Sequence, residues 1–342
     1  MNVEVGTTKR DGSKINKMYL ENTKFNLALS FFKLAMIVAE AWKANYLFWI
    51  LPAVFALGLL AVLGLIGLFF AVRLYAKFTC GRFREKTRMD GKTVIVTGCT
   101  NEIMQSTKNE NVLVKKLDLS SFSSIRTFAE DIIKTEKKLD VLIHNAGYAE
   151  TFRKNISEDG LELTMATNHY GPFLLTHLLI DLLKKSSPSR IVIVASSLYR
   201  LGSVNLDNPN PVNTMPGYLY YVSKEANILF TKELARRLEG SGVTANCLHP
   251  GLIDTGIWRN VPAPLSWGLA FINACFFKTP VQGCQTSVML AVDENLSKVN
   301  GKYFSDCQES SLSSSASDLS RARKLWEISE KLVKLEEHDT RI

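Results

Sequence analysis

Residues 45–72 hold no charged side chain over 28 consecutive positions, and this apolar run constrains the chain more than any other feature. An α-helix needs about 20 mostly apolar residues to cross a bilayer. A core helix of a soluble protein is rarely so long and so apolar on every face, and a cleaved signal peptide starts closer to the first residue. The run therefore predicts a transmembrane helix.

Basic residues follow this run directly: Arg73, Lys77, Arg82, Arg84, Lys86, Arg88 and Lys92. The 20 residues before the run hold two lysines, Lys33 and Lys43, and one acidic residue, Glu40. The positive-inside rule then predicts that the C-terminal bulk faces the cytosol. Because much of the net charge of +8 lies in this juxtamembrane collar, the charge does not indicate a nucleic-acid partner. Residues 26–44 favour an amphipathic helix at the membrane interface, with the first arm of a membrane hairpin as the alternative.

After Asp90-Gly91, short β-branched runs alternate with amphipathic stretches. The predicted strands are Thr93–Thr97, Val112–Leu117, Val141–His144, Ile191–Ala195, Val243–Leu248 and Lys302–Phe304. The predicted helices are Phe122–Lys138, Leu161–Lys185, Tyr218–Glu239, Pro280–Val292 and Leu319–Leu335. Buried strands that alternate with helices predict an α/β fold, a Rossmann-like doubly wound parallel sheet covered on both faces.

The expected organisation has five parts: an N-terminal segment (1–44), the transmembrane helix (45–72), a basic linker (73–91), the α/β domain (92–308), and a serine-rich loop with a closing amphipathic helix (309–342). The six cysteines include no CxxC pair. That spacing argues against a zinc site and a disulfide framework, and it suits a reducing compartment. No metal site is predicted.

Tyr220 and Lys224 form a Tyr-x-x-x-Lys motif at the start of a predicted helix, so they lie one turn apart on one face. With ten tyrosines in the chain, about one such match is expected by accident. The surroundings add information, because polar or glycine-containing motifs follow four predicted strands. These are Thr97-Gly98, Asn145-Ala146-Gly147, Ala195-Ser196-Ser197 and Pro250-Gly251 with Thr255; Asn168 lies inside a predicted helix.

In this order and spacing, the motifs make residues 90–336 resemble a classical short-chain dehydrogenase/reductase, and within that family the retinol dehydrogenase branch. The stretches NHYGPFLLTHLL and SKEANILFTKELARRLEGSGVTANCLHPG are very similar to that branch. The resemblance implies that Tyr220 is the acid/base and that Lys224 is its electrostatic partner, which also holds the nicotinamide ribose. It implies that Ser196 hydrogen-bonds the substrate oxygen and that Asn168 holds a water in a proton relay.

The resemblance also implies a nicotinamide cofactor, NADP with NAD as the alternative. The implied cofactor-binding residues are Thr97, Gly98, Asn145, Ala146, Gly147, Tyr220, Lys224, Pro250, Gly251 and Thr255. The implied substrate is a lipophilic small molecule, and the implied membrane is the endoplasmic reticulum. The aromatic segment 256–278 lies where the family has its substrate lid; a long apolar substrate, the membrane surface and simple packing all remain open as its contact. A homo-oligomer is also left open.

Elementary acid–base chemistry agrees with the implied roles. An alcohol loses a hydride only if its hydroxyl proton is removed, and a tyrosine with a pKa near 10 is a poor base at neutral pH. An ammonium group one turn away, together with an oxidised nicotinamide, favours the phenolate. The expectation is therefore a lowered pKa for Tyr220.

The chain departs from the family's TGxxxGxG turn directly after Gly98, since no glycine occurs from Cys99 to Ser121. The sequence looks like a family member lacking about 40 residues. That block would hold the rest of the glycine turn, the first crossover helix, the second strand and most of the next helix, so the sheet is expected to miss one strand and its flanking helices. One arrangement moves Val112–Leu117 beside the first strand and brings Asp118 to the adenosine ribose. The other keeps that strand in its family place and leaves a gap in the sheet. The sequence thus predicts a membrane-anchored oxidoreductase, with a catalytically impaired variant, such as a splice product, as the alternative.

Overall fold

The computed structural model describes residues 12–84, 87–98, 109, 111–253, 266, 267 and 277–342, with side chains from residue 26 onward except residue 47. The chain divides into two units, Met1–Ala71 and Val72–Ile342. The truncated glycine turn and Thr255 lie outside the described residues. So do most residues of the predicted lid, including Trp258, Phe271 and Phe276.

The N-terminal unit is built on one long helix, α1 (Gly12–Thr79), which runs without a break through the expected boundary at residue 45. Its part from Asn26 to Thr79 has a mean hydropathy of 2.7 in its most apolar window and is apolar and long enough to cross a membrane. Large side chains point outward all round it; Trp49 is 73% exposed. The described chain therefore does not bury this helix as a core element, and it stands as a candidate membrane anchor.

The second unit contains a six-stranded sheet in the order β1 to β6 along the chain. The strands are β1 (Val94–Val96), β2 (Val141–His144), β3 (Ser189–Val194), β4 (Val243–His249), β5 (Tyr303–Ser305) and β6 (Gln308–Glu309). The first five are parallel, and β6 is antiparallel to β5. The predicted α/β fold is confirmed, and five predicted strands match within two residues at each end.

Helices cover both faces of the sheet. They are α2 (Phe122–Thr135), α3 (Leu163–Met165), α4 (Gly171–Lys185), α5 (Pro216–Arg237), α6 (Pro280–Gly283), α7 (Gln285–Val292), α8 (Ser314–Ser317) and α9 (Leu319–Leu332). Successive strand residues point to opposite faces, so Leu142 joins the core under α2, α4, α5 and α9. Val141 and Ile143 join a second core under α7. This two-sided burial explains why the strands read as continuous apolar runs.

Local sequence sets the ends of the two helices that matter most for the site. Pro216 stands in the first turn of α5, where its missing N–H costs no hydrogen bond. The predicted helix Leu161–Lys185 is interrupted: a π-helical segment, Ala166–Tyr170, separates α3 from α4. Such π segments occur often at functional sites. This one carries Asn168.

The predicted strand Val112–Leu117 is wrong, because residues 112–118 have no regular secondary structure. Only 13 residues separate Gly98 from Val112, which leaves little chain for a helical crossover that returns in parallel. In the described chain β1 is the sheet's edge strand, with Val94 and Val96 39% and 38% exposed. A cavity of about 960 Å³ separates β1 from residues 111–117. The segment therefore neither pairs with β1 nor keeps a place in the sheet.

Candidate active site

The predicted site motifs gather at one edge of the sheet. Parallel strands end at the same edge, so the residues after β1, β2, β3 and β4 meet there. They are Thr97 and Gly98, then Asn145 to Gly147, then Ser196, then Pro250 and Gly251. In open α/β sheets, ligands bind in the crevice outside this carboxyl edge.

The first two motifs hold each other. The Thr97 hydroxyl accepts hydrogen bonds from the backbone N–H groups of Asn145 and Ala146, each at 3.1 Å. The Asn145 side chain donates to the Thr97 carbonyl, also at 3.1 Å. Gly98 has φ +79°, and a Cβ there would lie 2.8 Å from the Ala146 Cα. The turn after β1 therefore needs glycine for its conformation and for its close approach to the next loop.

The Asn168 amide makes three hydrogen bonds inside the protein. Its oxygen accepts from the Tyr148 N–H at 2.7 Å, and its nitrogen donates to the Tyr148 carbonyl at 2.8 Å and to the Ser223 hydroxyl at 3.0 Å. Asn168 is thereby tied to the loop that follows Gly147 and to α5. The side chain positions these two parts of the site.

Tyr220 and Lys224 lie one turn apart near the start of α5, as their spacing predicts. The Lys224 ammonium nitrogen is 5.5 Å from the centroid of the Tyr220 ring. It donates a hydrogen bond of 3.0 Å to the carbonyl of Val194, the last residue of β3. Ser196 lies two residues further along the chain, close enough to Tyr220 for its hydroxyl to lower the pKa of that phenol. The structure thus brings together Ser196, Tyr220 and Lys224.

Burial controls the acid–base state of this cluster. It raises the pKa of Tyr220 to about 12, although the hydrogen bond from Ser196 works in the opposite direction. It lowers the pKa of Lys224 to about 8. The expected lowered pKa of Tyr220 is therefore not found in the protein alone. The physical reason is that desolvation disfavours both charged forms, while the ammonium is directed at the Val194 carbonyl.

Asp118 and His144 each have hydrogen-bond partners within the protein. The exposed Asp118 carboxylate accepts from the N–H and the hydroxyl of Ser120, at 2.9 and 2.7 Å, in the turn before α2. His144 is buried, with Nε2 at 2.8 Å from the Thr176 hydroxyl. Burial lowers the pKa of His144 to about 3, so its imidazole is neutral. It acts as a packing residue under the site.

The exit from β4 has a neighbour that the motifs did not indicate, namely Lys278. Gly251 has φ +95°, and a Cβ there would lie 2.7 Å from the Lys278 side chain. The Lys278 N–H donates to the Leu252 carbonyl at 2.7 Å. Sequence reasoning put Lys278 at the end of the expected lid, 256–278, but gave it no role, because it lies 27 residues after Gly251.

A second missed residue is Glu225, which directly follows Lys224. Its buried carboxylate accepts from the Val204 N–H at 2.6 Å and from the Ser315 hydroxyl at 2.5 Å, and it pairs with Arg321 at 3.3 Å. It ties α5 to the C-terminal helices α8 and α9. The sequence feature that could have indicated Glu225 is an acidic residue among the apolar positions of a helix face.

Among the described residues, no group of three or more histidine, cysteine or acidic side chains is arranged to hold a metal ion. The groups gathered at this edge are proton donors, acceptors and one buried ammonium. Such groups suit proton transfer and the binding of a hydroxyl or carbonyl oxygen.

Comparisons with known proteins identify relatives. The family model described as short chain dehydrogenase matches residues 85–265. The chain is 48% identical over 228 residues to Retinol dehydrogenase 14 of Homo sapiens. This alignment covers 66% of this chain and 67% of that protein. It is 45% identical over 236 residues to Retinol dehydrogenase 11 of Homo sapiens, covering 67% and 71%. An uncharacterised protein from Mycobacterium Paratuberculosis has a similar structure, with a TM-score of 0.54 and 32% identity over 69% of this chain and 81% of that one.

Proposed function

The chain belongs to the short-chain dehydrogenase family and is a nicotinamide-dependent oxidoreductase; from this premise we propose that it interconverts retinoid-like or other lipophilic alcohols and their carbonyl products. Two relatives that are 48% and 45% identical are retinol dehydrogenases, which supports a lipophilic substrate. We further propose NADP as the cofactor and α1 as a membrane anchor. The contact of Tyr220 with Ser196 beside Lys224 carries the proposal.

The described residues fit the nicotinamide half of a cofactor. Gly98 and Gly251 both have positive φ, so the backbone at these two strand ends can approach a ligand closely. The Lys224 ammonium is the nearby cation that would hold the ribose hydroxyls. Asn145, Ala146 and Gly147 line the same edge, and Thr97 fixes their backbone. When bound, a nicotinamide accepts or supplies a hydride at this edge.

In the reductive direction, Tyr220 serves as the acid. Its pKa of about 12 keeps the phenol protonated at neutral pH, ready to donate to a carbonyl oxygen. Ser196 would hydrogen-bond the same oxygen and hold it near the phenol. Lys224 stabilises the phenolate that remains after the transfer, because its ammonium lies beside the ring.

In the oxidative direction, Tyr220 must first lose its proton. The phenolate would then remove the proton of a substrate hydroxyl that Ser196 holds. Asn168 keeps the loop after Gly147 in place through its three hydrogen bonds. It thereby fixes the position of the loop against α5, and we propose that a water in its neighbourhood relays the proton.

The anchor proposal rests on charge and exposure. Apolar side chains surround α1, and Lys77 lies in its last turn, followed by the basic collar. Basic residues on this side of the helix support a cytosolic orientation of residues 73–342, which we propose together with the endoplasmic reticulum as the membrane. Extraction at alkaline pH should leave the protein in the membrane fraction. Glycosylation at Asn155, part of an Asn-x-Ser site, would show the opposite orientation.

A catalytically impaired variant is the second candidate. The exposed edge of β1 and the cavity of about 960 Å³ beside it favour this candidate, because the adenosine half of a cofactor lies near the first strands of such sheets. Quenching of intrinsic fluorescence by NADPH separates the two. Saturable quenching supports the enzyme, and the lack of any saturable change at millimolar concentration supports the impaired variant.

Turnover of retinol and retinaldehyde by detergent-solubilised protein tests the proposal directly. The expected result is activity that Tyr220→Phe lowers by about 100-fold or more, since positioned acid–base groups contribute about 10²- to 10⁴-fold. Tyr221→Phe, one residue along the same helix, is the matched control and should retain activity. Equal activity of wild type and Tyr220→Phe would show that another group moves the proton.

A further inference from the structure

The turn between β5 and β6 has an unusual backbone. β5 ends at Ser305 and β6 begins at Gln308, so Asp306 and Cys307 form a two-residue loop. Both have left-handed conformations, with φ of 52° and 59°. Hairpin turns of this kind favour Asn-Gly or Asp-Gly, and a Cys at the second position is strained. Strain of this type is retained mainly where surrounding contacts require it.

One such contact comes from the segment that leaves α1. The Gly81 N–H donates to Asp306 Oδ1 at 3.2 Å. A Cβ at Gly81 would lie 2.0 Å from the Asp306 carbonyl oxygen, so only glycine fits this approach. Two residues on, the Phe83 N–H donates to the Gln285 side chain at 3.2 Å. Residues 80–83, which we term the exit segment, are therefore docked on the domain.

The same carboxylate oxygen has a second partner. Lys278 Nζ lies 2.5 Å from Asp306 Oδ1. Lys278 in turn forms a parallel bridge with Ile253 and covers Gly251 at the exit of β4. One oxygen atom thus joins the exit segment to the strand end at which the nicotinamide would bind.

We propose that Asp306 is a positioning residue that couples the exit segment, through Lys278, to the cofactor-binding end of β4. A displacement of residues 80–83 then shifts Lys278 and loosens residues 250–253. The consequence is that cofactor affinity depends on how the exit segment is held. The part of this inference that concerns cofactor rests on the proposed function, whereas the mechanical coupling does not.

Two variants test the two contacts of Asp306 separately: Asp306→Asn weakens its contact with Lys278, and Gly81→Ala disrupts its contact with the exit segment. Asn tolerates the left-handed backbone and keeps an oxygen for the Gly81 N–H, but it removes the charge that Lys278 contacts. Gly81→Ala pushes the exit segment away and leaves the carboxylate intact. Each variant has a control. Glu309→Gln removes an exposed ion pair, with Lys302, from the same hairpin. Gly67→Ala adds a methyl group at a glycine with nothing within 4 Å.

Hydrogen–deuterium exchange of the full-length, cofactor-free protein in detergent is the first measurement. We expect the Lys278 amide to exchange about tenfold faster in both variants, because local opening of a loosened segment controls its exchange. Amides of β3 and β4 should be unchanged, which shows that the variants fold. If Gly81→Ala accelerates only residues 80–83 and leaves Lys278 as in wild type, the coupling is disproved.

NADPH titration by fluorescence quenching is the second measurement. Both variants should raise the dissociation constant about fivefold, the size expected for one partly exposed ion pair, and both controls should leave it unchanged. Unchanged affinity in both variants would overturn the functional half of the inference. If wild type itself shows no quenching, the proposed enzyme function fails, while the exchange experiment still decides the coupling.

Discussion

The Lys224 ammonium nitrogen lies 5.5 Å from the centre of the Tyr220 ring and donates a hydrogen bond of 3.0 Å to the Val194 carbonyl. The lysine therefore links the end of β3 to the phenol that the motif selects as the acid. Burial opposes charge on both side chains, raising the pKa of Tyr220 to about 12 and lowering that of Lys224 to about 8. Each of these shifts makes a prediction about pH.

The oxidation of an alcohol should accelerate with pH. The base form of Tyr220 is the phenolate, and with a pKa of about 12 its fraction rises about tenfold per pH unit from neutral pH upward. Reduction uses the protonated phenol, which predominates throughout this range. Initial rates in both directions between pH 6 and 10 check this. A pH-independent oxidation rate would mean that the phenolate is already formed below pH 6.

Cofactor affinity should fall above pH 8. The Lys224 pKa of about 8 means that its ammonium is lost as pH rises through that value, and with it the charge that would hold the ribose. Titrations with NADPH from pH 6.5 to 9.5 should show the dissociation constant rising across this window. Lys224→Met should bind weakly at every pH and show no step. A step that persists in Lys224→Met would assign the titration to another group.

The Asn168 side chain should contribute to stability as well as to the site. Asn168→Ala leaves the half-buried N–H and carbonyl of Tyr148 without their partner, and the loss of these two hydrogen bonds should cost about 1–3 kcal/mol in total. Ser223→Ala removes only the third hydrogen bond and should cost about 1 kcal/mol. Urea denaturation compares the two. Equal losses would show that the Tyr148 loop does not depend on the amide.

How far the sequence predicts this molecule depends on the range of the interactions involved. The strands around Leu142, Ile191 and Ala245 were predictable, because residues buried on both faces leave a continuous apolar run. The Tyr220–Lys224 pair was predictable because one helical turn is a local spacing. The segment 112–117 was predicted as a strand from its valines and leucines, but it forms none, since pairing also requires a crossover of sufficient length. The contacts of Lys278 and Asp306 join distant parts of the chain and leave no local signal.

The direction of the pKa shift of Tyr220 could not be predicted from the sequence. Spacing places an ammonium near Tyr220, but it does not reveal that the same ammonium is buried and bonded to Val194. Desolvation is a property of the packed domain, and here it outweighs the attraction expected from the motif.

Glu225 should be a stability residue that leaves the chemistry intact. Its buried carboxylate joins α5 to Val204, Ser315 and Arg321. Removing one partner of such a network leaves the other groups without compensation, so Glu225→Ala should lower the free energy of unfolding by about 3 kcal/mol. The exposed Glu309, which pairs with Lys302, provides the matched control. Glu309→Ala should change the free energy of unfolding by less than about 1 kcal/mol.

The measurement for Glu225 is urea denaturation together with turnover below the transition. Because its carboxylate points toward the C-terminal helices and not toward Tyr220, folded Glu225→Ala should keep its kcat within about twofold, as expected when an interaction does not change between ground and transition states. A fall in kcat without a loss of stability would show that Glu225 positions Lys224 for proton transfer and would move it from the scaffold into the active site.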